Sequence, residues 1–377
     1  MIWLPGASAL CWLAVLLLPW QPWRLREQLV PAATQASTTD SLADVRVLIP
    51  ARNEASLLDG TLAAVLAQGP EITVVVVDDE SRDHTANIVR AAGAPVTVIH
   101  GSSRPAGWTG KFWALQQAHG HSRRPLTLLL DVDIRLAPGT VAALRAKLED
   151  QGGGLVAIMA SLRMSDFWER LLMPAFIYFF RLLYPLELVN RRHSGVAAAA
   201  GGCVLLPTAP IDERDLFSRI RGELIDDCAL AREVKASGRP LWLGVSRAVV
   251  SARPAQNLET LAAMVRRTAF TQPGNSAAAL AICTVLMLLA FVVPLLALIV
   301  GGDAAVLGLL AWTGMSLSYL PTLRFYGCAP FWALLLPVIG LLYLAFSWQS
   351  ACSTWRGQRA HWHGRVYVTG SATGSDS

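Results

Sequence analysis

The sequence predicts an α/β domain with a mostly parallel sheet, carried between N-terminal and C-terminal transmembrane helices. Three observations predict it. Apolar strands alternate with helical stretches from residue 45 to 131, the pattern of a parallel α/β sheet. Three of those strands end in clusters of polar and acidic residues. Uncharged apolar runs stand near both ends of the chain.

Composition agrees. The 377 residues are 53% hydrophobic and 16% charged, against ~45–50% and ~25% in ordinary globular chains. Disorder, collagen-like repeats and a disulfide scaffold are excluded. The middle of the chain is too polar for a transporter that fills its whole length. A net charge of +5 suits an anionic lipid surface or phosphate handling and selects neither. The 6 cysteines form no C-x-x-C pair, so zinc of that type is not expected and free thiols are.

Taken in order, residues 2–20 are apolar and just long enough to span ~30 Å as a helix. No basic residue precedes them, as it would in a signal peptide. Arg24 and Arg26 follow, which places the next residues in the cytoplasm. Residues 1–23 are therefore read as an anchor and 24–44 as a polar linker. The domain at 45–276 begins with a strand at 45–49. A helix at 57–68, a strand at 72–77 and a helix at 81–92 follow, the last capped by Ser81 or Asp83. Next come a strand at 96–99, a helix at 111–119 and a strand at 126–130. The apolar stretch 167–189 is broken by Pro174, Arg181, Pro185 and Glu187, so an amphipathic helix in the membrane interface is expected rather than a span, with a buried core helix as the alternative. Residues 277–300, 304–323 and 330–348 are candidate spans within a membrane region at 277–349, where Pro294, Pro321 and Pro337 kink or end helices. A basic tail with Arg356, Arg359 and Arg365 occupies 350–377. One span before a cytoplasmic domain and three after it would leave this tail outside. Either one apolar run is re-entrant or the positive-inside tendency fails there.

In such sheets ligands gather at the carboxyl ends of the strands. Those ends carry Pro50-Ala51-Arg52-Asn53-Glu54, Asp78-Asp79 and Asp131-Val132-Asp133. A D-x-D at a strand end can turn both carboxylates toward one hard divalent cation, Mg²⁺ or Mn²⁺. Carboxylates at 78–79 can accept hydrogen bonds from a nucleobase or ribose, while Ser81 and Asp83 cap the following helix. No G-x-G-x-x-G follows the first strand and no P-loop motif occurs, which argues against a dinucleotide oxidoreductase and a P-loop ATPase. His84, His119, His121 and His193 lack metal spacing and read as surface or structural. Adjacent acids at 226–227 would also favour a helix N-terminus.

These motifs, in this order, resemble family 2 glycosyltransferases with a GT-A fold, over about 45–275. The carriers are Val47–Glu54, Asp78-Asp79 with Ser81, Asp83 and Thr85, and Asp131 with Asp133. Further carriers are Ala200-Gly201-Gly202 and Leu224-Ile225-Asp226-Asp227. Gly107-Trp108-Thr109-Gly110-Lys111 and the apolar end resemble a narrower group acting on isoprenoid lipids, the hopene-associated glycosyltransferases. The resemblance implies an inverting transfer of one sugar from a nucleotide-sugar, expected to be a UDP-sugar, to a lipid acceptor. Pro50, Ala51, Arg52, Glu54, Asp78, Asp79, Lys111, Asp131 and Arg267 would bind the donor. Asp133, aided by Asp131, would hold the metal, Gly201 and Gly202 would face the acceptor, and Asp227 beside Asp226 would be the base. Asp226 stands where Glu is usual. Arg266-Arg267-Thr268-Ala269-Phe270 lacks the Trp of the Gln-x-x-Arg-Trp segment of processive synthases, which favours single-sugar transfer. A polyprenyl-phosphate sugar transferase and a non-catalytic membrane scaffold are the competing readings. The bacterial inner membrane, with a cytoplasmic catalytic domain and no nucleic-acid partner, is the expected setting.

Overall fold

The computed structural model describes residues 2–31, 41–254, 257–272 and 274–356, with the backbone of 360–362 and 365–367. Residues 32–40 of the expected linker and Arg359 of the expected basic tail lie outside the described residues. Eight strands form one sheet: β1 (Val45–Ala51), β2 (Thr73–Asp78), β3 (Val96–His100), β4 (Leu126–Leu130), β5 (Ile134–Leu136), β6 (Leu155–Ser161), β7 (Cys203–Pro207) and β8 (Leu241–Ser251). Their order is β3-β2-β1-β4-β7-β6-β8-β5. The β3-β2-β1-β4 block is parallel, as is β6-β8. β7 runs antiparallel to β4 and β6, and β5 to β8, so the mostly parallel sheet is mixed in its second half. β9 (Ala360–Trp362) and β10 (Arg365–Tyr367) form a separate hairpin.

Helix α1 (Trp3–Leu17) precedes the sheet. α2 (Ala55–Leu66), α3 (Thr85–Ala92), α4 (Gly110–His119) and α5 (Thr140–Asp150) connect its early strands. α6 (Phe167–Leu183) and α7 (Leu186–Asn190) follow β6. α8 (Ala209–Arg214), α9 (Leu216–Arg219) and α10 (Asp226–Ala236) join β7 to β8. α11 (Leu258–Ala269) leads to α12 (Ala277–Met287), α13 (Val293–Val300), α14 (Gly302–Phe325) and α15 (Leu336–Trp355).

Side chains alternate across the sheet, as the strand period of two requires. Val47, Ile49, Val74 and Val76 pack under α2, α3 and α5 through Leu58, Val89 and Leu144. Leu48, Val75 and Val77 face α4 and α10 through Phe112, Leu115 and Leu230. Burial on both faces is why β1 and β2 read as continuous apolar runs. α3 starts at Thr85 rather than residue 81 because Ser81 and Asp83 are engaged with the neighbouring loop. The Asn53 N–H donates to Ser81 Oγ at 2.9 Å, and the Ala55 N–H to Asp83 Oδ2 at 3.1 Å. His119 is structural, 2.6 Å from Asp212 and beside the buried Arg46. His84, His121 and His193 are exposed.

Three C-terminal segments, Ala277–Val300, Gly302–Phe325 and Pro330–Trp355, are long and apolar enough to cross a membrane. Pro294 follows a π-turn at Leu288–Val292, and Pro337 sits in the first turn of α15 after a 3₁₀ turn at Pro330–Leu335. At such positions a missing N–H breaks no ladder. Pro321 lies inside α14. The expected N-terminal span is shorter as a helix: α1 has 15 residues, about 22 Å at 1.5 Å per residue. It ends at Leu17 because Leu18 turns extended ahead of Pro19. It packs on the C-terminal helices, where Trp12 Nε1 donates to the Ala290 carbonyl at 2.9 Å.

α6 covers most of the expected helical stretch at 167–189. Most of it is buried, because it serves two cores at once. Ile177 belongs to the sheet's core, and Leu171, Leu172, Met173, Ala175 and Tyr178 to the core of the apolar helices. Arg181 is buried in this seam and donates to Thr322 Oγ1 at 3.2 Å and to the Arg24 carbonyl.

Close helix packing generates a prediction. A Cβ at Gly308 would stand 2.7 Å from the Pro294 carbonyl oxygen and 2.8 Å from Ala297 Cβ. Gly308→Leu is expected to cost about 1–3 kcal/mol by overpacking and to lower the unfolding midpoint in detergent. The exposed Leu309→Ala should leave it nearly unchanged. Equal midpoints for both variants would mean that α13 and α14 do not meet at Gly308.

Candidate active site

The ends of β1, β2 and β4 and the start of α10 open into one cleft of about 630 Å³. Pro50, Ala51, Arg52, Glu54, Asp79, Lys111, Asp131, Asp133, Gly201, Gly202, Asp226, Asp227 and Arg267 all line it. Asp78 does not. Consecutive residues at a strand end point to opposite sides, and its Oδ1 instead accepts from the Ser81 N–H at 3.2 Å while Oδ2 lies 3.6 Å from His100. Asp79 turns inward. Its N–H is fixed on the Ala51 carbonyl at 2.8 Å, and Arg52 reaches the Asp79 carbonyl at 2.7 Å.

Lys111 is the centre of the charge arrangement. It leaves the first turn of α4, whose N-cap Thr109 accepts from the Phe112 N–H. Its Nζ lies 2.9 Å from Asp131 Oδ1 and 3.1 Å from Asp226 Oδ2, and donates to the Gly201 carbonyl at 3.3 Å. Burial alone would lower the Lys111 pKa, but the two carboxylates outweigh it and hold the ammonium charged. Burial raises the Asp131 pKa in spite of Lys111. Asp226 is pulled below the usual range because the Lys111 charge and hydrogen bond outweigh its burial.

Asp227 differs from its neighbour. Its Oδ2 accepts from the Gly201 N–H at 3.0 Å and its Oδ1 from the Cys228 N–H at 2.8 Å. Burial, and then the adjacent Asp226 charge, push its carboxyl up to about 6. Gly201 packs closely: a Cβ there would lie 3.1 Å from Lys111 Nζ and 3.3 Å from Asp227 Cβ, so one of them would have to give.

Two cleft residues have no motif in the sequence. Arg253, just past β8, lies 2.6 Å from Glu54 Oε1 and 3.8 Å from Asp133 Oδ1. Ser251 donates to Asp133 Oδ2 at 2.5 Å. Burial raises the Glu54 pKa although Arg253 opposes it. Met173, Phe176 and Phe180 of α6 with Leu261 and Met264 of α11 make the cleft's apolar wall.

Eight carboxylate residues line this cleft against five basic ones. A diphosphate entering it meets net negative charge, a setting that suits a hard divalent cation. Among the described residues no three His, Cys, Asp or Glu side chains form a self-sufficient metal cluster. Mg²⁺ is commonly held by one or two carboxylates plus substrate phosphates, and Asp131 and Asp133 fit that arrangement.

The Lys111 geometry predicts a pH-dependent stability. Lys111→Met leaves Asp131 and Asp226 facing each other without their cation. Breaking a fully buried pair costs ~3–5 kcal/mol, and partial exposure here reduces that to about 1–3. The uncompensated carboxylates then have raised pKa values, so the folded variant holds protons that the unfolded chain has released. Its deficit is greatest at pH 8 and shrinks as pH falls through 6 to 5. Thermal unfolding of both proteins in detergent across this range checks it; a deficit independent of pH would contradict the assignment.

Residues 46–213 match the model for "Glycosyl transferase family 2". The chain is 31% identical over 169 residues to an undecaprenyl-phosphate 4-deoxy-4-formamido-L-arabinose transferase of Shewanella sediminis, covering 43% of this chain and 46% of that protein. It is 31% identical over 102 residues to a 4,4'-diaponeurosporenoate glycosyltransferase of Staphylococcus haemolyticus, covering 27% and 26%. The matches thus span less than half the length of these relatives. The mannosyltransferase PcManGT from Pyrobaculum calidifontis, solved in complex with GDP-Man and Mn²⁺, aligns over 92% of this chain and 99% of its own, with a TM-score of 0.52 and 18% identity. At that identity the likeness is one of fold. Strand order and this likeness agree on a GT-A fold, and the match to the family 2 glycosyltransferase model lies within that sheet domain.

Proposed function

We propose that the protein transfers one sugar, with inversion, from a nucleotide-sugar to a membrane lipid of the isoprenoid class. One observation carries this reading. The polar cleft at the strand ends continues into an apolar wall made by α6 and α11, and α6 is shared with the apolar helices. A polar donor and a lipid acceptor can therefore meet in one cavity. The relatives from Shewanella and Staphylococcus both bear names of isoprenoid-linked acceptors, and the Gly107–Lys111 segment favours a hopanoid-type lipid.

In this reading the nucleoside of the donor, expected to be uridine, lies against Pro50 to Glu54 and Asp79. Arg267 on α11 and Arg253 after β8 bring positive charge to the diphosphate's side of the cleft. Neutralising the leaving diphosphate is the chemistry that Mg²⁺ or Mn²⁺ supplies when bound, with Asp133 and Asp131 as its protein ligands. The acceptor hydroxyl attacks the anomeric carbon opposite the diphosphate and gives its proton to Asp227. The Gly201 and Cys228 N–H groups keep that carboxylate in place, and Lys111 keeps Asp226 ionised beside it. A carboxyl near 6 is a stronger base than an ordinary aspartate and is still ionised at neutral pH. One base and one displacement give inversion without a covalent enzyme intermediate.

The name of the Shewanella relative favours a second acceptor, a polyprenyl phosphate. A phosphate is already anionic and has no need of a base, whereas Asp227 is built as one. A non-catalytic scaffold gives no account of a raised carboxyl beside a lysine-held partner.

Asp227→Asn is expected to lower transfer of labelled sugar in membranes by about 10²–10⁴-fold while donor binding persists. Wild-type transfer should rise with pH through about 6 and level off above it, as Asp227 loses its proton. Transfer by the variant at the wild-type rate would remove Asp227 from this role. Lipid alcohol and lipid phosphate offered separately distinguish the acceptors: turnover on the alcohol is expected, and turnover on the phosphate alone would establish the second reading.

A further inference from the structure

The segment Pro330–Trp355 is long and apolar enough to cross a membrane, yet its neighbours fix its depth at each end. Ala277–Val300 and Gly302–Phe325 form a hairpin whose turn is Gly301-Gly302-Asp303. Its open end, at 277 and 325, adjoins the catalytic domain. Arg247 of β8 donates to the Phe325 carbonyl at 2.7 Å, and α12 follows α11 within eight residues. The hairpin therefore serves as a ruler, with 302 on the far side and 325 on the near side.

Against this ruler the next segment descends and returns. Cys328 lies near the catalytic domain, its Sγ 3.6 Å from Met164 Sδ. The 3₁₀ turn at Pro330–Leu335 sits at mid-depth: Trp312 Nε1 donates to the Leu334 carbonyl at 3.2 Å, and Ser316 Oγ to the Ala333 carbonyl at 3.3 Å. Gly340 packs on Phe291, still at mid-depth. From there α15 climbs antiparallel to α12. Trp348 Nε1 donates to Thr284 Oγ1 at 3.0 Å, Ala351 clusters with Leu280, and Ser350 Oγ bonds the Arg266 carbonyl of α11 at 2.5 Å. A crossing helix would instead carry residue 350 to the level of 300.

Charge supports the same geometry independently. Arg24, Arg26, Arg266, Arg267, Arg324 and Arg356 flank the apolar helices at their near ends, and the far turn at 301–303 carries only Asp303. Basic residues gather on the cytoplasmic side. A crossing third segment would put Arg356 and the basic residues after it, Arg359 and Arg365, on the other side.

We propose that Pro330–Trp355 is a re-entrant segment. It enters the bilayer from the catalytic side, turns at mid-depth and leaves on the same side, so that Arg356 and the catalytic domain share the cytoplasm. Phe331, Leu334, Val338, Leu341 and Trp348 then face the acyl chains of the cytoplasmic leaflet. Tyr343 on this segment donates to the Leu172 carbonyl of α6 at 2.8 Å, which ties the re-entrant piece to the helix that walls the cleft. The inference rests on helix registers and charge, not on the reaction.

The test is cysteine labelling in the full-length protein with Cys11, Cys283, Cys328 and Cys352 replaced by Ser and the buried Cys203 and Cys228 kept, the protein without an added cysteine serving as the background. Glu149→Cys, Asp303→Cys and Arg356→Cys are treated with a membrane-impermeant maleimide in intact cells and in inverted vesicles. Glu149→Cys and Arg356→Cys are expected to label about tenfold more in inverted vesicles, and Asp303→Cys to show the reverse preference. Labelling of Arg356→Cys from the same side as Asp303→Cys overturns the proposal. A second readout does not depend on sidedness. A short bifunctional thiol reagent should bridge Leu280→Cys to Ala351→Cys, and failure to do so in protein that keeps its wild-type unfolding midpoint also overturns it.

Discussion

The ion-pair network of Lys111 is the constraint on which the cleft depends. One ammonium joins the end of β4, through Asp131, to the start of α10, through Asp226, and also holds the loop before β7 by the Gly201 carbonyl. These segments are far apart in sequence, and two of them contribute carboxylates that repel each other at short range. Without a cation between them the cleft would have to open or take up protons. With it, two adjacent aspartates acquire opposite character. Asp226 is held ionised, and Asp227, buried beside that charge and bonded to backbone N–H groups rather than paired with the lysine, keeps a raised affinity for a proton. The difference follows from which of the two carboxylates forms the ion pair with Lys111.

The second constraint is the seam. α6 contributes to two hydrophobic cores, so the catalytic domain cannot tilt on the apolar helices without exposing one of them. Arg181 fixes the seam by polar contacts to α14 and to the segment after α1. The apolar wall of the cleft is thereby held beside helices long and apolar enough to cross a membrane. The sharing also explains why most of this helix is buried: its residues are divided between two cores.

Much of the site was legible because strand ends announce themselves. An apolar run followed by an acid places that acid at the rim of a parallel sheet, and this located Asp79, Asp131 and Asp133. The choice between Asp78 and Asp79 was not legible, since it depends on how the chain turns after β2 and on the Ser81 N–H that claims Asp78. Arg253 and Ser251 were invisible because β8 is placed by its pairing with β6 and β5, a long-range fact without a local pattern. The helical periodicity over 81–92 overran the true start of α3, because Ser81 and Asp83 spend their side chains on the loop at 53–55. Composition located the apolar segments but not their depth, which follows from contacts between helices.

The claim at the centre of this account is that sugar leaves a nucleotide and arrives on a membrane lipid. The most direct measurement is mass spectrometry of total lipids from cells with the intact gene, without it, and with Asp227→Asn. A glycosylated isoprenoid lipid should be present in the first and missing from the other two, while its sugar-free precursor accumulates. Identical lipid profiles in all three strains would contradict the account.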